Sequence, residues 1–110
     1  MSETKISADI NDMVKKRFSL DIAIDRHQVG LLKKGKHYVH CGTTGWPDRL
    51  GVILRGKNAG KFVGIEVKKP KEKQSKEQVE FEDMLNAAGG FYLLVESVEQ
   101  AMQRLEVILR

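Results

Sequence analysis

A one-domain α/β architecture is what this sequence predicts, on three observations. Apolar residues recur with a helical period near the start and in two later segments. Short runs between them alternate apolar and polar residues with the two-residue period of strands. Glycine, proline and serine fall at the joints between segments. The chain, residues 1–110, has the size of a single domain with a modest core, so self-association would be unsurprising.

The elements follow in order. Ile6, Ile10, Met13, Val14 and Phe18 share one face of a first helix over Glu3–Arg17, with charged residues between them. Leu20, Ile22 and Ile24 alternate with Ser19, Asp21 and Asp25 and predict a strand. Gln28-Val29-Gly30 and Lys34-Gly35-Lys36 read as a basic connection, followed by a short strand at 37–40 and a loop at 41–46. Pro47 stands at the entrance to a strand over 48–55, where its missing backbone donor does least harm. Residues 56–60 form a turn, and 61–68 return antiparallel. After Pro70, Ser75 starts a helix that sends Val79, Phe81, Met84 and Leu85 towards the core, and Ala88-Gly89-Gly90 stops it. Phe91–Val95 is a buried strand, and Ser97 caps a last helix carrying Ala101, Met102, Leu105 and Leu109.

Composition narrows the function classes. Charged residues at 31% and apolar ones at 41% are ordinary for a folded domain and argue against disorder. A net charge of +4 suits a polyanionic partner. Cys41 has no second cysteine to pair with, which excludes an intrachain disulfide and points to a reducing compartment. No apolar run reaches membrane-spanning length and the start lacks a signal-peptide pattern, so an intracellular, cytoplasmic protein is expected.

The chemistry concentrates in Gly64-Ile65-Glu66-Val67-Lys68-Lys69-Pro70, downstream of Pro47-Asp48. Strand alternation turns Glu66 and Lys68 to one face and Val63, Ile65 and Val67 to the other. A five-residue turn sets Arg55 opposite Lys61, hence Leu50 opposite Glu66 and Asp48 opposite Lys68. Diagonal side chains lie about 7 Å apart at Cβ, close enough for Asp48 and Glu66 to share one ion. A hard cation such as Mg²⁺ takes oxygen ligands at about 2.1 Å and keeps several waters, so two carboxylates and a carbonyl suffice. Such an ion, beside a lysine, is equipment for hydrolysing a phosphodiester: it neutralises charge and activates water. The plain alternative is a solvated cross-strand ion pair between Glu66 and Lys68, which contributes under about 1 kcal/mol.

These residues resemble a known family. Gly45-Trp46-Pro47-Asp48, then 62–70, then 75–78 with Phe81, and Ala88-Gly89-Gly90-Phe91 look like a VRR-NUC domain. This is the virus-type replication-repair nuclease branch of the PD-(D/E)XK superfamily. The likeness covers most of the chain, and Gln28-Val29-Gly30 shares it more loosely. It implies a restriction-endonuclease-like core with a mixed central sheet flanked by helices, and Mg²⁺ or Mn²⁺ as cofactor. Asp48, Glu66 and the Val67 carbonyl would be metal ligands and Lys68 the catalytic lysine. Gln78 would help position water, metal or substrate, and Glu3 would be a further metal or water partner. Read from the residues alone, Ser75-x-x-Gln78 is a capping box, so both readings of Gln78 stand open. The resemblance further implies a phage-encoded homodimer that cuts branched DNA such as four-way junctions in DNA repair.

Basic residues adjoin this region. Lys69, Lys71, Lys73 and Lys76, with Lys34 and Lys36 as a second patch, suit DNA-backbone contact. Neither patch has the interleaved aromatics of a single-strand stacking platform, so duplex or branched DNA is the expected partner. The rival reading is a non-catalytic basic DNA-binding module using the same face. His37, His40 and Cys41 lack the fourth, paired ligand of a structural zinc site. Trp46 reads as a loop anchor next to Pro47.

Overall fold

The computed structural model describes residues 2–27, 30–41 and 44–110, with main chain alone for 30–34 and 37–41. The elements are α1 (Glu3–Arg17), β1 (Ile22–Arg26), β2 (Gly30–Lys34), β3 (His37–Cys41), β4 (Arg49–Ile53), β5 (Phe62–Val67), α2 (Lys76–Ala87), β6 (Phe91–Val95) and α3 (Val98–Leu109). Four strands form a mixed sheet in the order β1-β4-β5-β6, antiparallel except for the parallel β5–β6 pair. Strands β2 and β3 form a separate antiparallel ribbon.

Strand alternation on β5 builds the two sides of the molecule. Val63, Ile65 and Val67 meet Ile10 and Val14 of α1, its C-cap residue Phe18, and Ala101, Leu105 and Leu109 of α3 in the main core. On the opposite face, Phe81 and Leu85 of α2 pack on Tyr92, with Trp46 and Leu50 alongside. Helices therefore flank both faces of the sheet. Serine caps start all three helices: Ser2, Ser75 and Ser97 each accept a hydrogen bond from a main-chain N–H in the first turn. Among the described residues, no helix is long and apolar enough to cross a membrane.

Four expectations need correcting. The connection before residue 37 contains a strand, β2, because Gly30–Lys34 finds its pairing partner in β3 across the Gly35 turn. The first strand begins at Ile22, not Leu20; a turn in which Asp21 N–H donates to Phe18 O leaves Leu20 69% exposed. On α2 only Phe81 and Leu85, spaced i and i+4, face the core, while Val79 and Met84 are exposed.

The register of the central hairpin is also different. Leu50 lies opposite Gly64 and Arg49 opposite Ile65, so each residue of β4 pairs two positions earlier on β5 than expected. The connection is longer than a five-residue turn, and its side chains hold it open. Arg55 is drawn away to Asp21, at 2.6 Å, and Asn58 Nδ2 donates to Ile108 O on α3 at 2.8 Å. A shift of two preserves which face each side chain occupies. It also brings Asp48 level with Glu66 instead of Lys68.

Candidate active site

Two helix starts and two strand ends converge on one cavity of about 430 Å³. The start of α1 contributes Glu3 and Ser7, and the start of α2 contributes Gln78. Asp48 and Arg49 come from the entry to β4, Glu66 and Val67 from the end of β5. Asp48 is placed by its neighbour Pro47, which lies directly on Gly64. A Cβ at Gly64 would sit 2.8 Å from Pro47 Cγ, so only glycine admits this approach. Gly45 does the same for the preceding loop: it has φ 91°, and a Cβ there would meet the Glu77 carbonyl at 2.5 Å.

The carboxylates meet inside. Glu66 is only 9% exposed, and its carboxylate lies within hydrogen-bonding reach of that of Asp48. Burial first, and then the Asp48 charge, push the Glu66 carboxyl up to about 7, against the opposing pull of the Lys68 ammonium. Asp48 Oδ2 accepts from Ser7 Oγ at 2.6 Å. Glu66 Oε1 accepts from Gln78 Nε2 at 3.0 Å.

Among the described residues three side-chain oxygens are buried without a hydrogen-bond partner, and two belong to cavity-lining residues: Asp48 Oδ1 and Glu3 Oε1, the third being Asn11 Oδ1. Buried carboxylate oxygens ordinarily have partners, and a divalent cation supplies one for several at once. The Val67 side chain is sealed into the opposite core, so what it presents to the cavity is main chain. Asp48 and Glu66 are the carboxylates that could share a Mg²⁺ or Mn²⁺ ion, with Glu3 and the Val67 main chain lining the same cavity. Among the described residues, no group of three or more His, Cys, Asp or Glu side chains is arranged to hold a metal ion. A two-carboxylate site completed by water does not require one.

The remaining expected residues fall around this centre. Lys68 is half-buried just beyond β5; it does not form the cavity wall, but its charge acts on Glu66. Gln78 uses both ends of its amide, and the capping-box reading is borne out. Its Oε1 accepts from Ser75 N–H at 2.8 Å in a complete capping box, while its Nε2 holds Glu66. Lys36, Lys69, Lys71, Lys73 and Lys76 are exposed, and Lys76 reaches Glu80 at 4.0 Å. The side chains of Lys34, His37, His40 and Cys41, and the whole of Gln28 and Val29, lie outside the described residues. Trp46 is an anchor as expected, packed between His27 and Phe81 at centroid distances of 5.4 and 5.1 Å.

Sequence reasoning missed Ser7, Arg26, His27 and Arg49, all of which line the cavity. Ser7 had one available signal: it shares a helical stripe with Glu3, Ile10 and Val14, a small polar residue on an apolar face. Arg49 adjoins Asp48, yet alternation alone would turn it away from the site.

No protein-family model matches the chain, and no curated protein matches it.

Proposed function

We propose that this protein is a metal-dependent DNA nuclease with a PD-(D/E)XK-like core that hydrolyses phosphodiester bonds. The observation that carries the reading is the meeting of Asp48 and Glu66 at a cavity also lined by Glu3, with one oxygen each of Asp48 and Glu3 buried and unpartnered among the described residues. Two carboxylates this close repel each other unless a proton or a cation lies between them. The four-stranded mixed sheet with helices on both faces, and the VRR-NUC-like order of motifs around Asp48, Glu66, Lys68 and Gln78, support the same reading.

In this mechanism Asp48, Glu66 and the Val67 carbonyl would hold the ion, with Glu3 as a further partner. A bound Mg²⁺ or Mn²⁺ supplies charge neutralisation at the scissile phosphate and a more acidic water. The chain's own groups do the rest. Gln78 fixes the Glu66 carboxylate through Nε2, so that Oε1 cannot swing out of the cavity. Lys68 offers a compact positive charge for the oxygens of the reacting phosphate. Exposed Lys36, Lys69, Lys71, Lys73 and Lys76 attract the flanking DNA backbone. Branched DNA such as a four-way junction is the proposed preferred substrate. A homodimer is the proposed assembly, since two sites on a two-fold axis match the symmetry of a junction.

Purified protein incubated with Mg²⁺ or Mn²⁺ and a panel of linear, flapped and four-way DNAs tests this. Cleavage that disappears with EDTA and with Glu66→Gln supports the reading. If every substrate survives both metals, the protein is not a nuclease.

A further inference from the structure

We infer that Arg49 is a DNA-phosphate anchor inside this cavity, held clear of the metal-ligating carboxylates by the Ser7 hydroxyl. The inference rests on the nuclease reading above and names a contact to the substrate of that same site.

Arg49 is 8% exposed and Ser7 4%. Arg49 Nε donates to Ser7 Oγ at 2.9 Å, and Ser7 Oγ donates to Asp48 Oδ2 at 2.6 Å. One hydroxyl thus accepts from the cation and gives its proton to the anion, standing between them. Among the described residues Arg49 has no other side-chain hydrogen bond, and no carboxylate lies within ion-pairing distance of it. A guanidinium taken out of water without a counter-ion bears an uncompensated desolvation cost. Its terminal nitrogens are not among the sealed, unpartnered atoms, and the residue lines the cavity. It is therefore a buried cation with a free planar fork open to an arriving anion.

A phosphate is the anion that this geometry fits. The guanidinium fork matches two phosphate oxygens at once, which the compact lysine heads outside the cavity cannot do. The phosphate it reaches lies beside Asp48 and Glu66, where hydrolysis is proposed. Ser7 supplies the reason why the guanidinium remains available. Direct pairing of Arg49 with Asp48 would neutralise the anchor and a metal-ligating oxygen together. With Ser7 interposed, Asp48 Oδ2 is fixed, Oδ1 is buried with no hydrogen-bond partner among the described residues, and Arg49 keeps its charge for DNA.

The test measures affinity for four-way DNA across a salt series, with Ca²⁺ in place of Mg²⁺ to slow cleavage. The native protein is compared with Arg49→Gln, Ser7→Ala and the surface control Lys57→Gln, an exposed lysine of the hairpin turn. Arg49→Gln is expected to weaken DNA binding about 10- to 100-fold, and to lower the slope of log affinity against log salt by about 0.9. Its Mn²⁺ binding without DNA should not weaken. Ser7→Ala should weaken Mn²⁺ binding several-fold, because Arg49 then closes on Asp48. If Arg49 is merely structural, Arg49→Gln loses thermal stability and Mn²⁺ affinity with the salt slope unchanged, and the inference is overturned. A second measurement needs no folded variant: the Arg49 Nε–H resonance of the native protein should shift on titration with DNA. No shift also overturns the inference. If the native protein cuts DNA and these results still fail, the nuclease reading stands alone. If it neither binds nor cuts DNA, both fall.

Discussion

Replacing Glu66 by glutamine should make the metal-free protein more stable at pH 8 while destroying its activity. Glutamine is nearly isosteric, can still accept from Gln78 Nε2, and can donate to Asp48 where two anions now repel. In the native protein the Glu66 carboxyl titrates near 7, against an ordinary value of 4.5. Between those values the folded protein holds a proton that the unfolded chain has released, so stability falls as pH rises through the window. At about 1.4 kcal/mol per pH unit the upper bound is about 3 kcal/mol. Cavity water screens the carboxyl, which reduces the expected effect to about 2 kcal/mol. For a domain of this length that corresponds to a rise in Tm of about 8 °C. Melting curves in EDTA, followed by circular dichroism at pH 5 and pH 8, read it directly. The gain should appear at pH 8 and nearly vanish at pH 5, where native Glu66 is already protonated. An equal Tm change at both pH values would refute the reasoning, because the carboxylate repulsion it depends on would not exist.

Four other substitutions, at three residues, probe the parts separately. Lys68→Ala should hold DNA affinity within about threefold of native and lower the single-turnover cleavage rate by about 100-fold or more. Gln78→Ala removes both the cap and the hold on Glu66, so it should cost about 1 kcal/mol in urea melts and slow cleavage. Gln78→Glu keeps the cap bond but sets a third carboxylate against Glu66, so its destabilisation should be larger at pH 8 than at pH 5. Gly64→Ala pushes Pro47 off the strand and should destabilise by about 1–3 kcal/mol, with weaker Mn²⁺ binding measured in parallel because Asp48 moves too.

Local pattern was the part of the fold most legible in the sequence. The first helix has the expected bounds, Glu3–Arg17, because its apolar stripe and its serine cap agree. The faces of β5 came out of alternation alone, with Val63, Ile65 and Val67 in the main core and Glu66 in the cavity. What was hidden depended on distant partners. The hairpin register follows from Arg55 reaching Asp21 and Asn58 reaching α3, and neither pairing is visible within the hairpin itself. Strand β2 was obscured because its partner, and not its own composition, makes it a strand. Ser7 and Arg49 belong to different elements and meet only when α1 is packed beside the start of β4. Gln78 shows the converse: its amide oxygen makes the cap that was legible in the sequence, while its nitrogen donates to Glu66 on another element.

The central claim is that Asp48 and Glu66 jointly bind a divalent cation, and calorimetric titration of the DNA-free protein with Mn²⁺ tests it most directly. Native protein should give a saturable binding isotherm that strengthens as pH rises through about 7, while Asp48→Asn and Glu66→Gln abolish it without loss of fold. A native isotherm unchanged by either substitution, or no binding heat at pH 8, would contradict the account.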